Sequence, residues 1–328
     1  MSNIIPDSGT PVASPHAHIS DCVKVVAIVV THNRAALLKR CLDALALQTC
    51  KLHHVVVVDN ASTDTTSAAI AERNEDIASG WLQYERLAEN RGGAGGFAYG
   101  LGKGVEIGAD WVWMMDDDAE AEPHALSMLL ADDPSPTDVI ASVPHRGGTL
   151  SWPVTWHEVG KRRANVAHQL DELPERSEVG SHPFLGFMIH RSLIERIGLP
   201  DARLFISADD IEYSLRARAG GAKIVLVRAS RISHPVSTTR YRSLLGRRIA
   251  LLTLAPWRRY YDTRNRLLVA RRHHGYRFWT EAIPGTLGRM VLIALYEPHK
   301  IAQLKAAAAG LWDGLRGNSG KRHDTWHL

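Results

Sequence analysis

Three consecutive carboxylates, Asp116, Asp117 and Asp118, follow the apolar run from Trp111 to Met115. Adjacent like charges repel, so a cluster of this kind is costly unless a cation or a chain of donors neutralises it. Mg²⁺ or Mn²⁺ suits carboxylate oxygens and takes phosphate oxygens as its remaining ligands. The competing reading is an acidic helix start, since Glu122-Pro123 and an apolar run come next. A second acidic pair, Asp209-Asp210, stands ahead of Ile211, Glu212 and Leu215. Asp209 with Glu212 has the spacing of a capping box. Asp210 at the first helical position is expected to be held ionised by the helix dipole, ready to take a proton. His234, before Pro235, is isolated in sequence, and such a histidine is more often structural than a ligand.

These side chains need elements to carry them. Val23 to Val30 is a β-branched run ending at Thr31-His32-Asn33-Arg34, and Leu37, Leu38, Cys41, Leu42 and Leu45 then recur with helical period. This is strand, turn, helix, with Asn33 as the expected N-cap. Val55 to Val58 repeats the pattern, ending at Asp59 and leading into a small-residue helix over 65–74. Two successive βα units with polar residues at the strand ends predict a doubly wound, mostly parallel α/β sheet with its ligands at that rim. Asp59 is placed to contact a base or ribose, or to brace its own turn.

Glu89-Asn90-Arg91-Gly92-Gly93-Ala94-Gly95-Gly96-Phe97 follows, then a helix expected over 98–107. Glycines permit close backbone approach to a ligand, and amides at a helix N-terminus attract phosphate. The first βα turn lacks the glycines of a dinucleotide fingerprint, and no Lys-Ser/Thr ending marks a P-loop. Residues 142–182, with Trp152, Trp156 and the charged patch Lys161 to Arg163, show no clear period and read as a long loop or irregular insert, its tryptophans placed to touch a substrate or to pack beneath the loop. Phe184 to Arg191 and Lys223 to Val227 read as further strands. From Tyr241 onward the chain reads as helical, basic and aromatic.

At 328 residues with 45% hydrophobic content, the chain has the size and composition of a globular protein. Three cysteines, Cys22, Cys41 and Cys50, have no metal-ligand spacing and suit a reducing compartment. Residues 1–22 carry Pro6, Pro11 and Pro15 among small polar residues and are expected to be disordered. No apolar run reaches the roughly 18 residues of a membrane span. Charge is uneven: Arg240 to Leu328 holds 17 Lys and Arg against 5 Asp and Glu, a net of +12, leaving −8 on the rest. A basic tail on an acidic body points to an anionic partner such as phospholipid or a phosphorylated substrate. The expected organisation is a segment 1–22, a catalytic domain 23–240 and a basic helical region 241–328.

In this order, Val-Ala-Ile-Val-Val-Thr-His-Asn-Arg, Val-Val-Val-Val-Asp-Asn-Ala-Ser-Thr-Asp, Asn-Arg-Gly-Gly-Ala-Gly-Gly-Phe, Trp-Met-Met-Asp-Asp-Asp, Asp-Asp-Ile-Glu-Tyr-Ser-Leu-Arg and Ser-His-Pro resemble the motifs of family 2 glycosyltransferases of the GT-A fold. The resemblance spans about residues 23–240. The glycine-rich segment with Met-Asp-Asp-Asp is most similar to the galactofuranosyltransferase branch that acts in cell-wall galactan synthesis, and rhamnosyltransferases share much of it. The resemblance implies that Thr31, Asn33 and Asp59 meet the nucleotide base and ribose. It places Asn90, Gly92, Gly93, Gly95 and Gly96 against the sugar diphosphate. Asp116 would hold the ribose side of the nucleotide and also adjoin the metal, with Asp118 as principal metal ligand and His234 as a further one. Asp117 leaves the metal-binding member ambiguous by one position. Asp210 matches the general base, supported by Asp209.

The implied activity is inverting, metal-dependent sugar transfer from a nucleotide sugar, UDP-galactofuranose above all, to a polyprenyl-diphosphate-linked glycan. The metal would be Mn²⁺ or Mg²⁺. The setting would be the cytoplasmic face of a membrane, held there peripherally by the basic tail; nucleic acid is not the expected partner. The alternatives are a dTDP-rhamnose donor, a catalytically silent sugar-nucleotide-binding module, and a nucleotidyltransferase using the acidic cluster. The enzyme reading would fail if Asp118 and Asp210 opened onto separate surfaces with no shared cavity between them.

Overall fold

A computed structural model describes residues 23–156, 164–237, 239–244 and 247–328. The segment 1–22 and the patch Lys161 to Arg163 lie outside the described residues. The first half is wound as β1 (Val25–Thr31), α1 (Ala35–Ala46), β2 (His54–Asp59), α2 (Thr66–Ala71), α3 (Asn74–Ala78), β3 (Leu82–Arg86), α4 (Gly92–Glu106) and β4 (Trp111–Asp116). Strands β3, β2, β1 and β4 lie side by side in parallel. Every β1 side chain is buried: Val26, Ile28 and Val30 face α4, and Val25, Ala27 and Val29 face α1. Burial on both faces explains why β1 and β2 read as unbroken valine runs rather than alternating ones. The register pairs Thr31 with Asp59 and Val30 with Asp116, which brings the polar ends of β1, β2 and β4 to one rim.

The glycine-rich helix is longer than expected. It begins at Gly92, so Gly95 and Gly96 lie inside its first two turns and not in a ligand-binding loop. A side chain at Gly96 would strike Val30 and Asn60, and one at Gly100 would strike Ile28. The stripe therefore lets α4 close onto β1, which corrects the expectation that Gly95 and Gly96 lie against a ligand.

The sheet continues through β5 (Glu120–Ala121), α5 (Ala125–Leu130), β6 (Val139–Arg146), β7 (Thr149–Trp156), β8 (Asn165–Gln169), β9 (Arg176–Glu178), β10 (Phe187–His190), α6 (Arg191–Ile197), α7 (Asp209–Ala219) and β11 (Ile224–Ser233). Strand β10 inserts antiparallel between β4 and β6, and β11 runs parallel to β6. The expected long loop is instead largely strand, with β7 and β8 extending β6 as an antiparallel meander. Leu150, Val154 and Trp156 are buried at even positions along β7. That period of two was present in the sequence, masked by Pro153 and the polar residues between.

Beyond the sheet, β12 (Thr239–Leu244) and β13 (Arg247–Leu252) form an antiparallel hairpin where helix was expected. Helices α8 (Pro256–His273), α9 (Ile283–Tyr296) and α10 (Lys300–Arg316) follow, with a π-helical turn, Phe278–Ala282, leading into α9. Among the described residues, no helix is long and apolar enough to cross a membrane. The α8–α10 pair is joined by buried polar groups. Asp313 is fully buried and accepts from Tyr260 Oη (2.7 Å), Asn318 Nδ2 (2.7 Å), Trp326 Nε1 (2.9 Å) and Arg322 Nε (3.2 Å). Burial opposes its charge, but these donors outweigh burial and hold the carboxyl down at about 2.

Candidate active site

The turn after β1 sets the rim. Thr31 Oγ1 donates to Asp117 Oδ2 at 2.7 Å, and Arg34 Nη1 reaches Asp117 Oδ1 and Asp118 Oδ2, both at 3.1 Å. Asp117 is 3% exposed, and both its oxygens are bonded, so it braces the turn at the edge of the rim cavity. Thr31, 2% exposed, is spent on the same brace. Arg34 was not singled out in the sequence, although a basic residue at the end of the first strand is the natural counter-charge for an acid triad.

Two further expectations are corrected here. Asn33 has a left-handed backbone (φ 55°) and is not the N-cap of α1; its Oδ1 accepts from the amides of Thr63 (2.7 Å) and Asp64 (3.2 Å). Asp64 returns the favour by accepting from Ala35 N at 3.3 Å at the start of α1. Asp59 is fully buried, with Oδ1 on Ser62 N (2.8 Å) and Oδ2 on Tyr84 Oη (2.6 Å). Neither residue lines the cavity at the rim; Asn33 ties the two βα turns together, and Asp59 braces its own turn against β3.

The cavity at the rim measures about 650 Å³ and is lined by Asn90, Gly92, Gly93, Asp116, Asp117, Asp118 and His234 on the sheet side. Helix α8 and the chain after α10 supply the opposite wall with Trp257, Arg258, Lys321 and His323. Asp116 is open to this cavity yet lies deep beneath protein. Burial, then the charges of Asp118, Asp117 and Asp209, push its carboxyl well above the usual range, against Arg34. Burial likewise raises Asp117, opposed by Thr31 and Arg34. His234 Nε2 stands 3.6 Å from Asp118 Oδ1, its Nδ1 is 3.2 Å from Ser151 Oγ, and its ring meets the edge of Trp152 at 5.8 Å. Burial lowers its pKa although Asp118 opposes this, so the ring is neutral and offers a lone pair near neutral pH. Among the described residues, no three His, Cys, Asp or Glu side chains gather as a metal-ligating set. The expected trio reduces to the Asp118–His234 pair, with Asp116 on the same cavity wall.

Asp210 opens elsewhere. It lines an adjoining cavity of about 1020 Å³ with Trp152, His182, Arg218 and Arg266. The expected shared cavity is thus two neighbouring ones, meeting where Trp152 of one touches His234 of the other. The expected capping box is also absent. Ala208 is the N-cap of α7, in a left-handed conformation, and Asp209 and Asp210 lie inside the first turn. Asp210 Oδ1 accepts from Ile211 N at 2.7 Å. Burial outweighs that bond and the attraction of Arg266, and raises the Asp210 carboxyl instead of lowering it as the helix dipole alone would. Burial and the neighbouring Asp210 raise Asp209 too. A carboxylate raised toward neutrality is a stronger proton acceptor than an ordinary one.

The segment that aims this pair is strained and clamped. Phe205, Ser207 and Ala208 all have positive φ, at 66°, 72° and 60°. Such backbone costs on the order of 1 kcal/mol or more per non-glycine residue and persists only when its surroundings enforce it. The clamp is Asn265 of α8, fully buried, whose two Nδ2 protons are shared among the carbonyls of Leu204 (2.9 Å), Ile206 (2.8 Å) and Ser207 (2.7 Å). Arg264 Nη2 adds a bond to Leu204 O at 2.9 Å. On the other side Ala94 N donates to Phe205 O at 3.1 Å, and Gly92 (φ 70°) leaves no room there for a side chain. The acidic pair is therefore held between the start of α4 and the middle of α8.

Comparison with known proteins decides the family. Residues 26–198 match the model of glycosyl transferase family 2. The chain belongs to that family. It is 33% identical over 258 residues to galactofuranosyltransferase GlfT1 of Mycobacterium tuberculosis (strain ATCC 25618 / H37Rv), covering 74% of this chain and 80% of the relative. It is 24% identical to dTDP-rhamnosyl transferase RfbF of Shigella flexneri, over 90% of this chain and 97% of the relative. The crystal structure of GalNAc-T7 with UDP, GalNAc and Mn²⁺ superposes with a TM-score of 0.58 at 15% identity, covering 88% of this chain and 54% of that one. The fold is GT-A, and this family 2 member is a glycosyltransferase.

Proposed function

We propose that this glycosyltransferase moves galactofuranose from UDP-galactofuranose to a polyprenyl-diphosphate-linked glycan, with inversion and with a divalent metal. The donor assignment rests on the likeness to GlfT1, and the uridine diphosphate on the fold shared with a structure that holds UDP. A dTDP-rhamnose donor, suggested by the likeness to RfbF, is the second reading.

The observation that supports the mechanism is the pairing of a cavity lined by Asp116, Asp117, Asp118 and His234 with an adjoining one that contains a raised carboxylate. Donors that share a divalent ion at about 2.1 Å each stand about 3–4 Å apart, which the 3.6 Å between Asp118 and His234 satisfies. Mn²⁺ or Mg²⁺ held there by Asp118 and His234, with Asp116 nearby, would act as a Lewis acid on the departing diphosphate. Asn90, Gly92 and Gly93 lie along the same wall, and Arg258 and Lys321 face them with the positive charge a diphosphate needs. Asp210, as general base, takes the proton of the acceptor hydroxyl, which attacks the anomeric carbon opposite the leaving group. Asp209, whose carboxyl burial and Asp210 raise to about 7, stands next to it in the first turn of α7. The wide cavity around Asp210, with Arg218 and Arg266 in its wall, is the acceptor's place.

The protein works, on this reading, at the cytoplasmic face of the membrane, held peripherally through its basic C-terminal region. The test is a donor screen with Mn²⁺ or Mg²⁺ and a short lipid-linked acceptor, read by mass spectrometry. Transfer from UDP-galactofuranose with release of UDP is expected. Transfer only from dTDP-rhamnose selects the second reading, and release of inorganic diphosphate would overturn both.

A further inference from the structure

Helix α9 turns an apolar face outward. Leu287, Val291 and Leu295 are 49, 58 and 53% exposed. They recur every four residues and so share one helical face, with the exposed Gly288 between them and the exposed Pro284 one turn before. The other face carries the buried Thr286 and Ile293, which turn α9 toward α10 and the π-helical turn. Its one charged side chain, Arg289, is tied to Thr286 Oγ1 at 2.9 Å. Tyr276 and Trp279, just before α9, are 77 and 68% exposed, and Ile301, just after it, 88%. A helix face left to water is normally polar, and a contiguous apolar stripe with aromatic ends marks a docking surface.

Charge identifies the occupant. Residues 256–328 hold 13 Lys and Arg against 5 Asp and Glu. Each of those acids is already paired within the region: Asp262 with Arg266, Glu281 with Arg277, Glu297 with Arg259, Asp313 with Arg322 and Asp324 with Lys321. The surplus is cationic, and Lys300 adjoins the end of the stripe. A second copy of the chain would bring two such surpluses together, whereas an anionic lipid surface attracts them. At 14 residues α9 is too short to cross a bilayer but long enough to lie in its interface.

We propose that α9 docks in the plane of an anionic bilayer, with Leu287, Val291 and Leu295 beneath the headgroups, Tyr276 and Trp279 at the boundary, and Lys300 with the neighbouring arginines on the phosphates. This deepens the peripheral association proposed above by naming the element and making it insertion of side chains rather than charge attraction alone. It is tested on the full chain with vesicles of phosphatidylglycerol and phosphatidylcholine, against phosphatidylcholine alone. Wild-type protein is expected to co-sediment with the anionic vesicles. The charge-neutral Leu287→Gln/Val291→Gln/Leu295→Gln variant should bind them at least about tenfold more weakly, because insertion scales with buried apolar area. Its circular dichroism and its affinity for UDP should be unchanged, which keeps this result separate from the reading of the donor cavity. Nitroxide-labelled lipid should quench wild-type fluorescence more than that of Trp279→Phe. Undiminished vesicle binding by the triple variant would overturn the proposal. So would light scattering that shows a wild-type dimer converted by it to a monomer.

Discussion

The sheet and the C-terminal helices are built on opposite principles. Strands β1, β2 and β4 are filled with valine, isoleucine, tryptophan and methionine, buried on both faces. Helix α8 buries Arg264, Asn265, Tyr260 and Tyr261 instead, and α10 buries Asp313. An apolar core tolerates exchange of one branched side chain for another, whereas a buried polar network stands only when every member is satisfied. The sheet thus supplies a rigid rim for the reacting groups, and the helices supply oriented contacts to it: Asn265 on the loop before Asp209, Arg266 in one cavity, Trp257 and Arg258 in the other. On the proposed reading, the chemistry is carried by the domain built on the sheet and positioned by the C-terminal helices.

The largest effects should come where the two regions meet the reacting groups. Asp210→Asn is expected to lower kcat about 10²–10⁴-fold with donor affinity unchanged, measured by steady-state kinetics and calorimetry. In the helical region, Asp313→Ala leaves Arg322, Tyr260 and Trp326 without their shared acceptor. It should cost about 3–5 kcal/mol in denaturant unfolding. Equal damage from a volume-conserving exchange in the sheet, such as Ile28→Leu, would break the comparison, since that should cost less than about 1.5 kcal/mol.

Asn265→Ala is expected to act on position more than on binding, with kcat falling about 10–100-fold and KM for donor little changed, because three carbonyls of the segment before Asp209 lose their shared donor. A matching loss of donor affinity would show instead that α8 shapes the donor cavity. Asp118→Ala should weaken Mn²⁺ binding, read by calorimetry with UDP present, about 10–100-fold, and His234→Ala should do so less.

The smallest effects concern pH. Because Asp210 and Asp209 are raised, the acid limb of kcat against pH should lie above the ordinary aspartate range, with activity lost as the pH falls through it. His182 is buried and 3.1 Å from Leu185 O, and burial lowers its pKa to about 4. A folded-state value below the unfolded one favours the neutral ring, so its stabilisation is full above about pH 6.5 and lost progressively toward pH 4. Asp313 shows the same sign lower down: its stabilisation is present above the unfolded value of 3.8 and disappears toward about 2.

What was legible in the sequence follows the same division. The valine runs and the acid triad announced the parallel sheet and its rim, because a doubly buried strand has one simple signature. The β6–β8 meander was missed because Pro153 interrupts a period of two that Leu150, Val154 and Trp156 nonetheless keep. The hairpin β12–β13 was missed because basic residues there read as helix surface. At the site, the residue types at the strand ends were found, but their jobs were not all told apart. Thr31 and Asp117 are bonded to each other, Asn33 to the turn after β2 and Asp59 within its own turn, and only coordinates show which polar groups are engaged in such braces. The roles of Arg34 and Asn265 depend on partners tens of residues away, which no local pattern encodes.

The most direct single measurement is turnover of UDP-galactofuranose with a lipid-linked acceptor and Mn²⁺ by wild type and Asp210→Asn side by side, with donor binding measured on the same samples. A product one hexose heavier, made by wild type and nearly abolished in a variant that binds donor normally, is the predicted result. Wild-type turnover by Asp210→Asn would contradict the account.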